Sequence, residues 1–184
     1  MKTKIMLAAM ALIGAAGLSN GQISMTGDLT NGATQVGSVT GSGTGNSAGW
    51  GWYTFSANAG DSIAIDVNRL VGDLDPASGC WEGDATGEAF GDFSSIFASG
   101  TSLALVGSGD DNVGPNLPGP WGDPSYGFIA PSTGIYSVAV ASFASAGQPP
   151  YRFDITVTGS TVPTPGAAAL LGLGGLIATR RRRA

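Results

Sequence analysis

The sequence predicts an all-β protein, an antiparallel β-sandwich with an apolar segment at each end of the chain. Three observations carry this prediction: short runs in which apolar and polar residues alternate, turn-forming residues between those runs, and no apolar helical period sustained for three turns. Gly supplies 31 and Pro 10 of the 184 residues, which suits many turns and stays short of the level of a disordered chain. That length holds one ordinary domain with something at either end.

Residues 1–21 read as a signal peptide. Lys2 and Lys4 form its basic region, Ile5 to Leu18 its apolar region, and Ser19 and Gly21 the small residues needed for cleavage between Gly21 and Gln22. Cleavage after Ala16 is the alternative. The apolar run is shorter than the roughly 20 residues of a span, which disfavours an uncleaved anchor. Export gives access to oxidising conditions, yet Cys80 is the only cysteine, so no internal disulfide is possible. Without histidine or a nearby lysine to activate it, Cys80 is expected to be a small buried side chain.

The sandwich is expected over residues 22–161. Trp50, Trp52, Tyr53 and Phe55 supply a strand, preceded by Gly41 to Gly49, a flexible loop or a long hairpin connection. Ile63, Ile65 and Val67 alternate with Ala64, Asp66 and Asn68. Leu103 and Leu105 make a shorter run, Tyr136, Val138 and Val140 a fuller one, and Tyr151, Phe153, Ile155 and Val157 face away from Arg152, Asp154, Thr156 and Thr158. Turns fall at Ala59-Gly60-Asp61, Gly109-Asp110-Asp111-Asn112, Ser132-Thr133-Gly134 and Gln148-Pro149-Pro150. Two sheets whose inward faces meet would then enclose one core. Trp81 and Trp121, near Gly and Pro, are expected to pack over an end of the sandwich, with a lid or contact role as the alternative.

The stretch from about residue 50 to 159 resembles the bacterial pre-peptidase C-terminal (PPC) domain. The resemblance runs through Trp52-Tyr53-Thr54-Phe55, Ala59-Gly60-Asp61-Ser62-Ile63, Asp73-Leu74-Asp75-Pro76, Asp110-Asp111 and Ala130-Pro131-Ser132-Thr133-Gly134-Ile135-Tyr136. It implies a jelly-roll-like sandwich. The chain departs from the family pattern in carrying extra Gly- and acid-rich sequence from Glu82 to Gly100.

Charge and composition exclude several functions. Between the two ends only Arg69 and Arg152 are basic, against all 13 acids of the chain, so the sandwich would repel nucleic acid. With no histidine anywhere and no lysine beyond Lys4, a Ser-His-Asp relay, a Schiff base and a Ser-Lys dyad are unavailable, and no enzyme is expected. Asp73, Asp75, Asp110, Asp111, Asn112 and Asp123 are loop oxygens of the kind calcium takes six to eight of. Some sandwiches similar to PPC domains bind calcium at such loops. The plainer reading is that these side chains hydrogen-bond their own turns, and no EF-hand or nonapeptide spacing is present. No other cofactor is indicated.

The C-terminus, residues 162–184, carries Val162-Pro163-Thr164-Pro165-Gly166, an apolar run from Ala167 to Ala178, and Arg180, Arg181, Arg182 and Arg183. This order resembles the PEP-CTERM sorting signals of Gram-negative bacteria, with Thr164 where that family usually has glutamate. The resemblance implies a short hydrophobic sorting helix, transient insertion in the inner membrane with the arginines as a cytoplasmic stop, and processing near Pro163 and Pro165 by an exosortase-type membrane enzyme. A plain membrane anchor is the alternative. The expected function is therefore an exported, non-catalytic surface or extracellular-matrix protein, structural or interactive, with extracellular polysaccharide among the candidate partners. The rival is a carbohydrate-binding module, whose sign would be exposed aromatics such as Trp50, Trp81 or Trp121.

Overall fold

The computed structural model describes residues 23–40, 49–88, 102–114, 117–143 and 150–161. The predicted signal peptide with Gly21 and Gln22, the loop 41–48, the motif Val162 to Gly166 and the stop Arg180 to Arg183 lie outside these residues. Every named element is a strand: β1 (Gly27–Asp28), β2 (Thr34–Val39), β3 (Gly51–Ala57), β4 (Ser62–Arg69), β5 (Pro76–Glu82), β6 (Ala104–Gly109), β7 (Ser125–Ile129), β8 (Gly134–Ser142) and β9 (Tyr151–Thr158). Among the described residues no helix is long and apolar enough to cross a membrane.

A five-stranded sheet in the order β1-β3-β8-β5-β6 faces a four-stranded sheet in the order β2-β9-β4-β7. The pairings nest: β2 with β9, β3 with β8, β4 with β7 and β5 with β6, all antiparallel. A long ribbon rolled up in this way is the winding of a jelly roll. Only β1 departs from the antiparallel rule, pairing in parallel with β3 through Gly27↔Tyr53. It closes one side of the sandwich, where Gln35 Nε2 donates to the Asp28 carbonyl at 2.6 Å and Thr54 Oγ1 donates to the Asp28 carboxylate.

Alternation sends Tyr53 and Phe55 of β3, Ile63, Ile65 and Val67 of β4, Tyr136, Val138 and Val140 of β8, and Phe153, Ile155 and Val157 of β9 into the space between the sheets. Cys80 lies in the same inner core, as expected, and burial pushes its thiol pKa well up. The expectation of one core needs correction. A second apolar cluster covers the outer face of the five-stranded sheet, where Trp50, Trp52, Ala77, Trp81, Ala139 and Ala141 are covered by Ile23, Ala85, Met25, Leu103 and Leu105. The indoles of Trp52 and Trp81 are 5.4 Å apart, and those of Trp50 and Trp52 stack at 5.8 Å.

Trp50 and Trp81 are therefore not an exposed binding platform, being 7 % and 0 % exposed. The cause lies in the segments beside them. Ile23 N–H donates to the Glu88 carbonyl and Gly87 N–H to the Ile23 carbonyl, which draws the start of the described chain across the sheet. Trp121 is half-buried on the connection before β7.

Candidate metal site

At one end of the sandwich the connection from β4 to β5 meets the connection from β6 to β7. The antiparallel register of β5 and β6, with Ser78 opposite Gly109, sets the residues just before β5 beside those just after β6. Asp75 is the last residue before β5, and Asp110 and Asp111 are the first two after β6. One carboxylate oxygen from each of these three comes within 4.8 Å of the others. They grade from the interior outward: Asp75 is buried, Asp110 half-buried and Asp111 exposed.

Backbone groups, Asn112 and the Asp111 carboxylate itself hold the loops. Asn112 Oδ1 accepts the Asp110 N–H at 2.7 Å, and the Asn112 N–H donates to the Asp110 carbonyl at 2.8 Å. Asp111 Oδ1 accepts the Gly122 N–H at 2.6 Å, and the Asp75 carbonyl accepts the Phe143 N–H at 2.8 Å. Val113 and Asp123 exchange backbone hydrogen bonds across the loop.

Arg69, at the end of β4, braces both loops from below. Its guanidinium is buried and donates to the carbonyls of Leu74 at 3.3 Å and Leu117 at 2.9 Å, with Asp123 Oδ1 at 3.9 Å from Nε. Asp123 Oδ1 also accepts the Arg69 N–H at 3.3 Å. A buried charge pair of this kind holds a defined geometry chiefly because losing either partner would strand the other. Asp123 is thus committed to Arg69. Of the expected ligands, Asp75, Asp110 and Asp111 converge. Asp73 is exposed on the same loop and outside the group, and Asn112 caps the turn.

Burial, and then the neighbouring Asp111 charge, raise the Asp110 carboxyl above its ordinary value. Its Oδ1 is shielded from solvent and meets no hydrogen-bond donor among the described residues. A cation bound there would supply the missing partner, and an all-oxygen set open on the Asp111 side would leave room for carbonyl and water ligands. The residues present fit a hard divalent ion.

No protein-family model matches the chain, and no curated protein matches it. Among solved structures, the chain is similar to CorA, a surface-associated copper-binding protein important in copper acquisition by Methylomicrobium album BG8, with a TM-score of 0.55, 15% identity, and coverage of 74% of this chain and 98% of that one. It is similar also to MopE, a secreted protein of Methylococcus capsulatus in which an oxidised tryptophan facilitates copper binding, with a TM-score of 0.51, 10% identity, and coverage of 72% and 86%. Identities this low establish a shared fold and nothing finer. The pre-peptidase C-terminal domain of a Bacillus anthracis collagenase superposes with a TM-score of 0.46 at 14% identity, covering 75% of this chain and 100% of that one.

Proposed function

We propose that the chain is an exported, non-catalytic protein of the cell surface or extracellular matrix, a PPC-like jelly roll that holds calcium between Asp75, Asp110 and Asp111. The observation that carries the binding reading is the convergence of those carboxylates around a buried Asp110 oxygen that meets no donor among the described residues. The nested strand pairing supports the PPC-like part, since that resemblance implies a jelly roll. The tail remains the reason to expect sorting by an exosortase-type enzyme, and the export signal at the front together with the basic stop at the back supports an outward orientation of the sandwich.

The copper of the two similar structures is not carried over. Copper sites favour imidazole, thiolate and thioether ligands. This chain has no histidine, and its one thiol is sealed in the inner core. Three carboxylates suit calcium, magnesium or manganese instead. Polysaccharide remains the proposed partner class, with selective binding on a glycan array as its test, although the buried Trp50 and Trp81 give no support to stacking on those rings.

Calcium titration decides the metal reading. Added ion raises the melting temperature by mass action, by an increment that corresponds to about 2.7 kcal/mol at a hundredfold excess over the dissociation constant. Asp110→Ala combined with Asp111→Ala abolishes the gain. A melting curve unmoved by millimolar calcium removes the proposal. For the tail, mass spectrometry of protein taken from its own cell surface is expected to find the N-terminus at Gln22 and the C-terminus between Val162 and Gly166, whereas an intact Ala184 would make the tail a plain anchor.

A further inference from the structure

The end of the sandwich opposite the acidic loops carries a second side-chain arrangement that neither the core nor the cation site uses. β9 ends at Thr158, and Gly159, with φ of 92°, turns the chain tightly against β4. A Cβ on Gly159 would stand 1.9 Å from the Ser62 carbonyl oxygen, so only glycine permits this approach. The Ser160 hydroxyl then donates to the Ser56 carbonyl.

Thr161 is held more firmly still. Its N–H donates to Asp61 Oδ2 at 3.0 Å, its hydroxyl donates to Asp61 Oδ1 at 2.8 Å, and Asn58 Nδ2 donates to the same hydroxyl oxygen at 2.9 Å. Asp61 is itself fixed in the turn between β3 and β4. Its Oδ2 also accepts the Asn58 N–H at 2.8 Å, and its carbonyl accepts the Ala130 N–H at 2.9 Å. The strand ladder is complete without residues 159–161, yet each of the three is pinned, up to the residue that precedes Val162-Pro163-Thr164-Pro165-Gly166.

We infer that Asp61, Asn58 and Thr161 form a clamp that sets the inner limit of C-terminal processing, so that a protease removing the tail stops at this point and cannot enter β9. A protease binds its substrate as an extended strand several residues long, so a residue bonded through both its N–H and its hydroxyl must first be released. Asp61 and Asn58 act here as positioning residues. The inference rests on the proposed processing of the tail.

The test is digestion of the full-length chain with proteinase K, with the C-terminus read by intact mass. Wild type is expected to stop between Thr161 and Gly166, and Asp61→Ala to lose at least three further residues. In hydrogen exchange the Thr161 amide of Asp61→Ala should open faster by about tenfold or more, while the Ile65 amide in β4 keeps its protection and reports an intact fold. If Asp61→Ala does not fold, Thr161→Val, which replaces the hydroxyl by a methyl and keeps the N–H bond to Asp61, is compared by its digestion end point, expected to lie at least one residue further in than in wild type. Identical end points in wild type and variant, or a Thr161 amide equally unprotected in both, would overturn the clamp. Those results are separate from an intact Ala184 on surface-derived protein, which would overturn the processing reading instead.

Discussion

Tyr53 shows how one atom can work against its own residue. Its ring meets Phe153 edge-on at 6.2 Å in the inner core, while its hydroxyl is buried and finds no hydrogen-bond partner among the described residues. Gly37 makes room for that oxygen, since a Cβ there would lie 2.0 Å from it. An unsatisfied buried hydroxyl costs free energy that phenylalanine avoids, so Tyr53→Phe is expected to raise stability by about 1 kcal/mol. Urea unfolding tests this as a higher midpoint at an unchanged slope. A lower midpoint would mean that the hydroxyl is satisfied in solution, for instance by an internal water.

Two carboxyls at opposite ends of the sandwich respond to pH with opposite sign. Asp110 is raised by burial and by Asp111, so its contribution to the stability of the calcium-free protein is fully present below its unfolded pKa and is lost as pH rises through its folded value. Calcium needs the ionised form. The calcium increment in melting temperature is therefore expected to be small in acid and to grow as pH rises through that same folded value. Asp61 is lowered by hydrogen bonds from Thr161 and Asn58, so its contribution is present above its unfolded pKa and lost as pH falls through the folded one. Paired melts with calcium and with chelator across the acidic range separate the two.

At the scale of elements, the strands that declare themselves in the sequence are those with one face in the inner core and the other in water. β4 and β9 alternate for that reason. β5, Pro76–Glu82, does not, because the inner core takes Cys80 while the outer cluster takes Ala77 and Trp81. β2 hides for a different cause, since its Gly37 is required under Tyr53 and contributes no hydrophobic signal. The candidate site was legible as acids in turns. Which acids meet was not, because Asp73 and Asp75 differ only by their distance from the start of β5, and the register of β5 on β6 decides between them. Asp123 reads as a ligand until Arg69 is found buried against it.

The outer cluster makes the segment from Ile23 to Leu29 part of the fold. Ile23 is 3 % exposed, and the following backbone bonds to Trp52 and Thr54 through the N–H groups of Thr26 and Leu29. Ile23→Ala is expected to cost about 2 to 4 kcal/mol, in the range for large-to-small changes at buried sites. A loss below about 0.5 kcal/mol, the level of an ordinary surface substitution, would show that the segment is not seated in solution.

For the whole molecule, the strand pairing fixes where the two ends face. Thr158 pairs with Ala64 near the start of β4, and Phe153 pairs with Arg69 at its finish, so the tail leaves one end of the sandwich and the acidic loops occupy the other. At about 3.3 Å per residue the eight residues of β4 separate them by roughly 25 Å. The described strands and both apolar clusters lie within residues 23–161, so a chain trimmed to residues 22–161 is expected to fold as a mainly β monomer. Circular dichroism dominated by helix, or a dimer by light scattering, would contradict this.

Three indoles, with Trp52 within 6 Å of both Trp50 and Trp81 along a dry face, also give the molecule an optical signature. Trp50, Trp52 and Trp81 are shielded from water while Trp121 is half-exposed, so the emission combines a blue component from the trio with a redder one from Trp121. Coupling between the stacked chromophores adds a paired band of opposite signs to the ultraviolet circular dichroism. The blue component depends on the cover to which Ile23 and Met25 contribute. Arrival of that segment on the sheet during folding can therefore be timed by its light alone, with no label added.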